Sequence, residues 1–100
     1  MIDFEMSQHA MLRAAQRNVS PHEIAFIIKH GKNIHNAGAL ECQMWHKRMP
    51  KDLPHNDPLW RLVGTTVMLS KDRRTVITLY RDGDAFKRDR RKKKFDIRSH

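Results

Sequence analysis

Between residues 7 and 18 the apolar positions recur at helical intervals. Met11, Leu12 and Ala15 define one side, with Ala10 and Ala14 close to it. Ser7 offers an N-cap oxygen and Asn18 tolerates the left-handed conformation of a helix C-cap, so a helix is predicted between them. Its alanines let it sit tightly against a neighbour. Residues 4–6 read as a short lead-in strand. The next start signal is more complete. Ser20 at the N-cap, Pro21 at N1 and Glu23 at N3 make a capping box, with Val19 and Ile24 at the positions of a hydrophobic staple. Ile24, Ile27 and Ile28 supply the apolar side. Lys29 and His30 suit the C-terminal end of a helix dipole, and Gly31 stops the helix as a glycine C-cap.

The period then changes from helical to alternating. Residues 36–38 read as a turn, after which Leu40, Cys42 and Met44 alternate with Glu41, Gln43 and Trp45 in a strand of about eight residues. Residues 50–58 hold three prolines among polar residues and read as a loop. Residues 60–69 have strand propensity, with Val63, Thr65, Thr66 and Val67 β-branched. A tight polar turn at 71–74 leads to the clearest strand, 75–80, whose faces read as Val76, Thr78, Tyr80 and Ile77, Leu79, Arg81. The short link between the last two strands favours a hairpin, because a parallel crossover needs a dozen residues or more. The expectation is an α+β domain over residues 1–83: two N-terminal helices on a small twisted antiparallel sheet of three to four strands. A basic C-terminal arm at 84–100 follows.

Composition adds an anionic partner to this picture. The chain has 100 residues and a formal charge of +9, from 20 basic and 11 acidic side chains. Residues 84–100 alone hold eight basic and three acidic side chains, a net +5, too charged to bury. Such a balance suits nucleic acid, through phosphate neutralisation and counterion release, or an acidic protein. Arg81 and the arm residues Lys87, Arg88, Arg90, Arg91, Lys92, Lys93 and Lys94 are the candidate nucleic-acid contacts. The single Cys42 excludes an internal disulfide and reads as a buried thiol. No apolar run approaches membrane-spanning length and the N-terminus lacks a secretory pattern, so the cytoplasm is the expected compartment. Cys42 and His46, four apart on a strand, would stand about 13 Å apart, too far to share an ion. No metal and no cofactor are expected. Glycine-rich phosphate loops and paired carboxylates are also missing.

The chemistry-bearing feature is the stripe of His9, Arg13 and Arg17, spaced at i, i+4 and i+8 on the first predicted helix. Like charges four apart repel unless something neutralises them. An imidazole beside fixed cations suits a phosphate and acid–base chemistry upon it. Cleaving RNA without a metal requires activation of the 2′-hydroxyl, neutralisation of the phosphate and protonation of the leaving 5′-oxygen. Histidine suits the proton transfer, and arginine forks match phosphate oxygens. Thr78 and Tyr80 share a strand face and meet His9 if the first helix packs there. An ordinary solvated helix face and two plain strand formers are the alternative for these five residues. Trp45 and Trp60 read either as core or as platforms for stacked bases.

The run Ser7-x-His9-Ala10-x-x-Arg13-x-x-x-Arg17, followed by Val19-Ser20 and a helix ending at Gly31, resembles a bacterial uncharacterised-domain family. That family is grouped with the RelE-like and barnase/EndoU/colicin-like ribonuclease toxins. The closing Val76-Ile77-Thr78-Leu79-Tyr80-Arg81 is similar to its final sheet strand, and the likeness covers roughly residues 4–82. Asn18 stands where glycine is usual in the resembling sequences. The resemblance implies two helices on a curved antiparallel sheet, RNA cleavage without metal, and restraint by an antitoxin-like partner. It also implies a motif role for His9, Arg13 and Arg17 and for the hydroxyls of Thr78 and Tyr80. Fold does not fix function. A non-catalytic nucleic-acid-binding or regulatory module, and an interaction protein that docks its basic arm on an acidic partner, stay open beside the toxin-type endoribonuclease.

Overall fold

A computed structural model describes residues 4–81; the basic arm and its seven candidate contacts, Lys87 to Lys94 among them, lie outside the described residues. Helix α1 spans Gln8–Arg17 and α2 spans Pro21–His30. Ser7 starts α1 by accepting a hydrogen bond from the Ala10 amide at 3.0 Å. Its hydroxyl also donates to the Ile77 carbonyl at 2.7 Å, so one side chain caps the helix and ties it to the last strand. Asn18 closes α1 in the left-handed conformation, with φ 56°. In α2 the capping box is complete: Ser20 Oγ accepts from the Glu23 amide at 3.2 Å, and the Glu23 carboxylate accepts from the Ser20 amide at 2.9 Å.

The packed side of α1 differs from the expected one. Ala10 and Ala14 are buried, whereas Met11 and Leu12 are 53% and 56% exposed. A helix pressed closely onto a strand puts its smallest side chains at the contact and turns its larger apolar ones outward. Gly31 also acts differently from a left-handed cap, for its φ is −70° and its ψ 165°. What it provides is proximity. A Cβ there would stand 2.6 Å from the Ile27 carbonyl oxygen and 2.9 Å from that of Gln43.

The sheet has five strands: β1 at Glu5–Met6, β2 at Lys32–Asn36, β3 at Ala39–Gln43, β4 at Thr65–Ser70 and β5 at Thr75–Arg81. Their order is β1-β5-β4-β3-β2. β1 lies parallel to β5 and the other pairs are antiparallel, so the sheet is mixed rather than purely antiparallel. β2, with the polar sequence KNIHN, adds a strand that the hydrophobic pattern does not show. Its two-residue turn into β3 uses positive φ at Ala37 (48°) and Gly38 (83°), the pattern of a type I′ hairpin. Alanine is a poor residue for that region and asparagine a good one. Ala37→Asn is therefore expected to stabilise the fold by about 0.5–1 kcal/mol, read as a higher urea midpoint at unchanged slope.

One bulge sets the faces of the last hairpin. Met68 pairs with Thr78 and Leu69 with Val76, which leaves Ile77 as the extra residue. Val76 and Leu79 thereby share the core face with Val67 and Leu69, while Thr78 and Tyr80 face the other way; the regular alternation that put Val76 with them is broken at Ile77. The core joins these side chains to Ala10, Ala14, Ile24, Ile27, Leu40, Cys42 and Leu62.

Residues 60–63 form no strand. Pro58–Leu62 is a 3-10 turn capped by Asp57, whose carboxylate accepts from the Leu59 amide at 2.9 Å, with Pro58 in the first position. Gly64, at φ 95°, then turns the chain into β4. A second short 3-10 turn, His46–Arg48, follows β3.

Candidate functional site

With Ala10 and Ala14 seated in the core, the residues preceding each of them fall on a flank of α1. His9 and Arg17 are exposed and Arg13 is half-buried. Arg13 Nε donates to His9 Nε2 at 3.4 Å, so the structure brings these two together as the four-residue spacing predicts. The guanidinium holds the imidazole in place and adds a fixed positive charge beside its basic nitrogen. An anion at this flank meets two guanidiniums and an imidazole over about two helical turns.

Thr78 and Tyr80 belong to the sheet face opposite the core. Pairing across three strands arranges that face in two rows, Tyr80–Thr66–Gln43 and Thr78–Met68–Glu41. Ala10 and Ala14, the neighbours of His9 and Arg13 in sequence, pack on the other side of β5. Tyr80 instead donates to Glu41 Oε1 at 3.5 Å, two strands away. Gln43 Nε2 donates to the same carboxylate oxygen at 3.3 Å, and Trp45 Nε1 donates to Gln43 Oε1 at 2.8 Å. Glu41, Gln43 and Thr66 are buried, and the Thr66 hydroxyl has no hydrogen-bond partner among the described residues. Arg81 is exposed at the end of β5, opposite Thr65.

The polar pair Glu41 and Gln43 was missed as a site feature because the burial of both faces of a strand is not visible until its neighbours are known. With β2 on one side and β4 on the other, β3 is interior. The alternation of Glu41 and Gln43 with Leu40 and Cys42 was the available signal. Cys42 lies on the core face, where burial pushes its thiol up to about 11 against the lowering pull of the Arg73 guanidinium. It is inert as a nucleophile near neutrality. Among the described residues no group of three or more His, Cys, Asp or Glu could hold a metal ion, and no helix is long and apolar enough to cross a membrane.

A third cluster surrounds the two indoles, both half-buried. Lys47 Nζ stands 5.0 Å from the centroid of the Trp45 ring. The rings of His46 and His55 lie 5.1 Å and 6.1 Å from that of Trp60, the second stacked at 23°. Trp60 Nε1 donates to the Pro54 carbonyl at 2.7 Å. The next residue, Arg61, donates from Nη2 to both Glu23 carboxylate oxygens at 2.6 and 2.7 Å and to the Asn18 carbonyl at 3.0 Å. The last of these contacts joins the turn carrying Trp60 to the residue that follows Arg17.

The chain matches no protein-family model, no curated protein and no solved structure. The architecture is that of an α+β domain with two N-terminal helices packed against a mixed sheet.

Proposed function

We propose that this protein is an endoribonuclease of toxin type that works without a metal ion. The observation that carries the reading is the contact of Arg13 with His9 on an accessible helix flank, with Arg17 one turn further on, in a chain of charge +9. His9 Nε2, once substrate opens its hydrogen bond from Arg13 Nε, takes the proton of a ribose 2′-hydroxyl. The 2′-oxygen then forms a bond to the adjacent phosphorus as the bond to the 5′-oxygen breaks. The products are a 2′,3′-cyclic phosphate and a 5′-hydroxyl, the latter protonated from water, while His9 returns its proton to solvent. Arg13 and Arg17 neutralise the extra charge on the phosphate in the transition state. Arg81, exposed at the end of β5, adds charge to the same RNA, whereas Thr78 and Tyr80 stand on the opposite face of the sheet and are not brought to His9. The basic arm adds phosphate contacts, and an acidic antitoxin-like protein is the partner such a surface suits.

The expected result is RNA cleavage in the presence of a chelator, with cyclic ends, falling about 100-fold or more in His9→Ala. His9 is exposed, so the variant keeps its fold and its circular dichroism. Cleavage unaffected by the substitution would remove His9 from the mechanism. The placement of Thr78 and Tyr80 on the face opposite the α1 alanines favours a second reading, a non-catalytic nucleic-acid-binding module. Steeply salt-dependent RNA binding with no product at any enzyme concentration would decide for it.

A further inference from the structure

The helical stripe offers charge and an imidazole, and the cluster around the two indoles adds broad aromatic faces for the bases of an RNA to lie against. Residues 46–55 carry Lys47, Arg48 and Lys51 with one carboxylate, Asp52, and two imidazoles; all six of these side chains are exposed. Both indole N–H groups are tied to the protein, Trp45 to Gln43 and Trp60 to Pro54, so the rings are fixed. A fixed ring is a better platform than a free one because less freedom is lost when a base settles on it. His55 stacks on Trp60 at 6.1 Å and 23°, the arrangement a nucleobase takes on an aromatic ring. Being exposed, it can give way to one.

We infer that the segment from Trp45 to Trp60 is a docking surface for single-stranded RNA. Lys47 and Arg48 hold phosphates, and the indoles receive bases. The inference rests on the RNA reading above and deepens it by naming the form of the substrate. A duplex keeps its base faces stacked on one another and has none to offer these rings, whereas an unpaired strand does. Arg61, the residue after Trp60, donates to the Asn18 carbonyl, which places the turn carrying Trp60 beside the end of α1 that follows Arg17. The proline-punctuated loop at 50–58 then has a function, since it carries Lys51 and His55 and supplies the carbonyl that orients Trp60.

The test uses the full chain and a short 2′-O-methyl oligoribonucleotide, which lacks the attacking hydroxyl and so reports binding apart from cleavage. Indole emission is expected to be quenched on titration. The double variant Lys47→Glu, Arg48→Glu is expected to bind at least about tenfold more weakly, with a salt slope shallower by about 1.4, the value for two lost phosphate contacts on a single strand. The same sequence as a duplex is expected to bind more weakly and without quenching. A double variant that binds as the parent does overturns this surface and leaves the RNA reading standing. Equal or tighter binding of the duplex overturns the single-strand assignment. A polyglutamate peptide that binds more tightly than the oligonucleotide assigns the surface to an acidic protein instead. If the parent binds no RNA of either form, the surface and the RNA reading fall together.

Discussion

Gly31→Ala is expected to lower stability by about 2 kcal/mol, within the range for forcing atoms into a filled space. The backbone angles at this position suit alanine, and a glycine replaced where angles permit ordinarily gains about 0.4–1 kcal/mol from a stiffer unfolded chain. Sterics reverse the sign here. Both obstacles are main-chain oxygens, those of Ile27 in the last turn of α2 and Gln43 at the end of β3. Neither can swing aside as a side chain would. The Ile27 oxygen also accepts from the Gly31 amide at 2.7 Å, so relief at that point loosens the helix end. Relief at the other point opens the pairing of Lys32 with Gln43. Urea unfolding followed by circular dichroism checks this, and an unchanged midpoint would show that α2 and β3 part at little cost.

Leu62→Ala is expected to cost about 2–5 kcal/mol, as for other fully buried leucines. Leu62 is completely buried and is the one buried residue of the 3-10 turn Pro58–Leu62. Such a turn has poor hydrogen-bond geometry of its own and depends on its anchor. The Asp57 cap and the pairing of Arg61 with Glu23 remain in the variant, but Arg61 is 38% exposed and its ion pair is worth little against solvent. The turn should therefore release before the rest of the domain. Tryptophan emission is expected to shift at a lower urea concentration than the helical signal. Coincident transitions, or a loss below about 1 kcal/mol, would place the turn's stability elsewhere.

What the sequence discloses depends on how local the cause is. The start of α2 is written in Ser20, Pro21 and Glu23, and each acts as its position dictates. The ends of α1 are equally plain in Ser7 and Asn18. Which side of α1 is buried is not, because the choice of alanine over Met11 and Leu12 follows from how near β5 lies. β2 has almost no apolar signature; it is a sheet edge, held by the turn at Ala37 and Gly38 and by pairing with β3. The strand predicted from Trp60 starts only at Thr65, although Asp57 and Pro58 already spelled a capped turn. The bulge at Ile77 has no mark in the chain, and it alone moves Val76 away from Thr78 and Tyr80.

The same division holds for the site. The contact of His9 with Arg13 is fixed by helical spacing and was legible. The chain of bonds from Tyr80 through Glu41 and Gln43 to Trp45 spans three strands, so it depends on register, which no short stretch of sequence contains.

The hydroxyl of Ser7 reaches the Ile77 carbonyl across a separation of 70 residues, and β5 lies between the first strand and the fourth. In a growing polypeptide, α1 leaves the ribosome before β5. The alanine surface of that helix has no seat until the final hairpin emerges. Assembly must therefore close its longest loop near the end, which makes for slow acquisition of the native state. The helix flank that carries His9 and Arg13 gains its place beside β5 only after β5 has been translated.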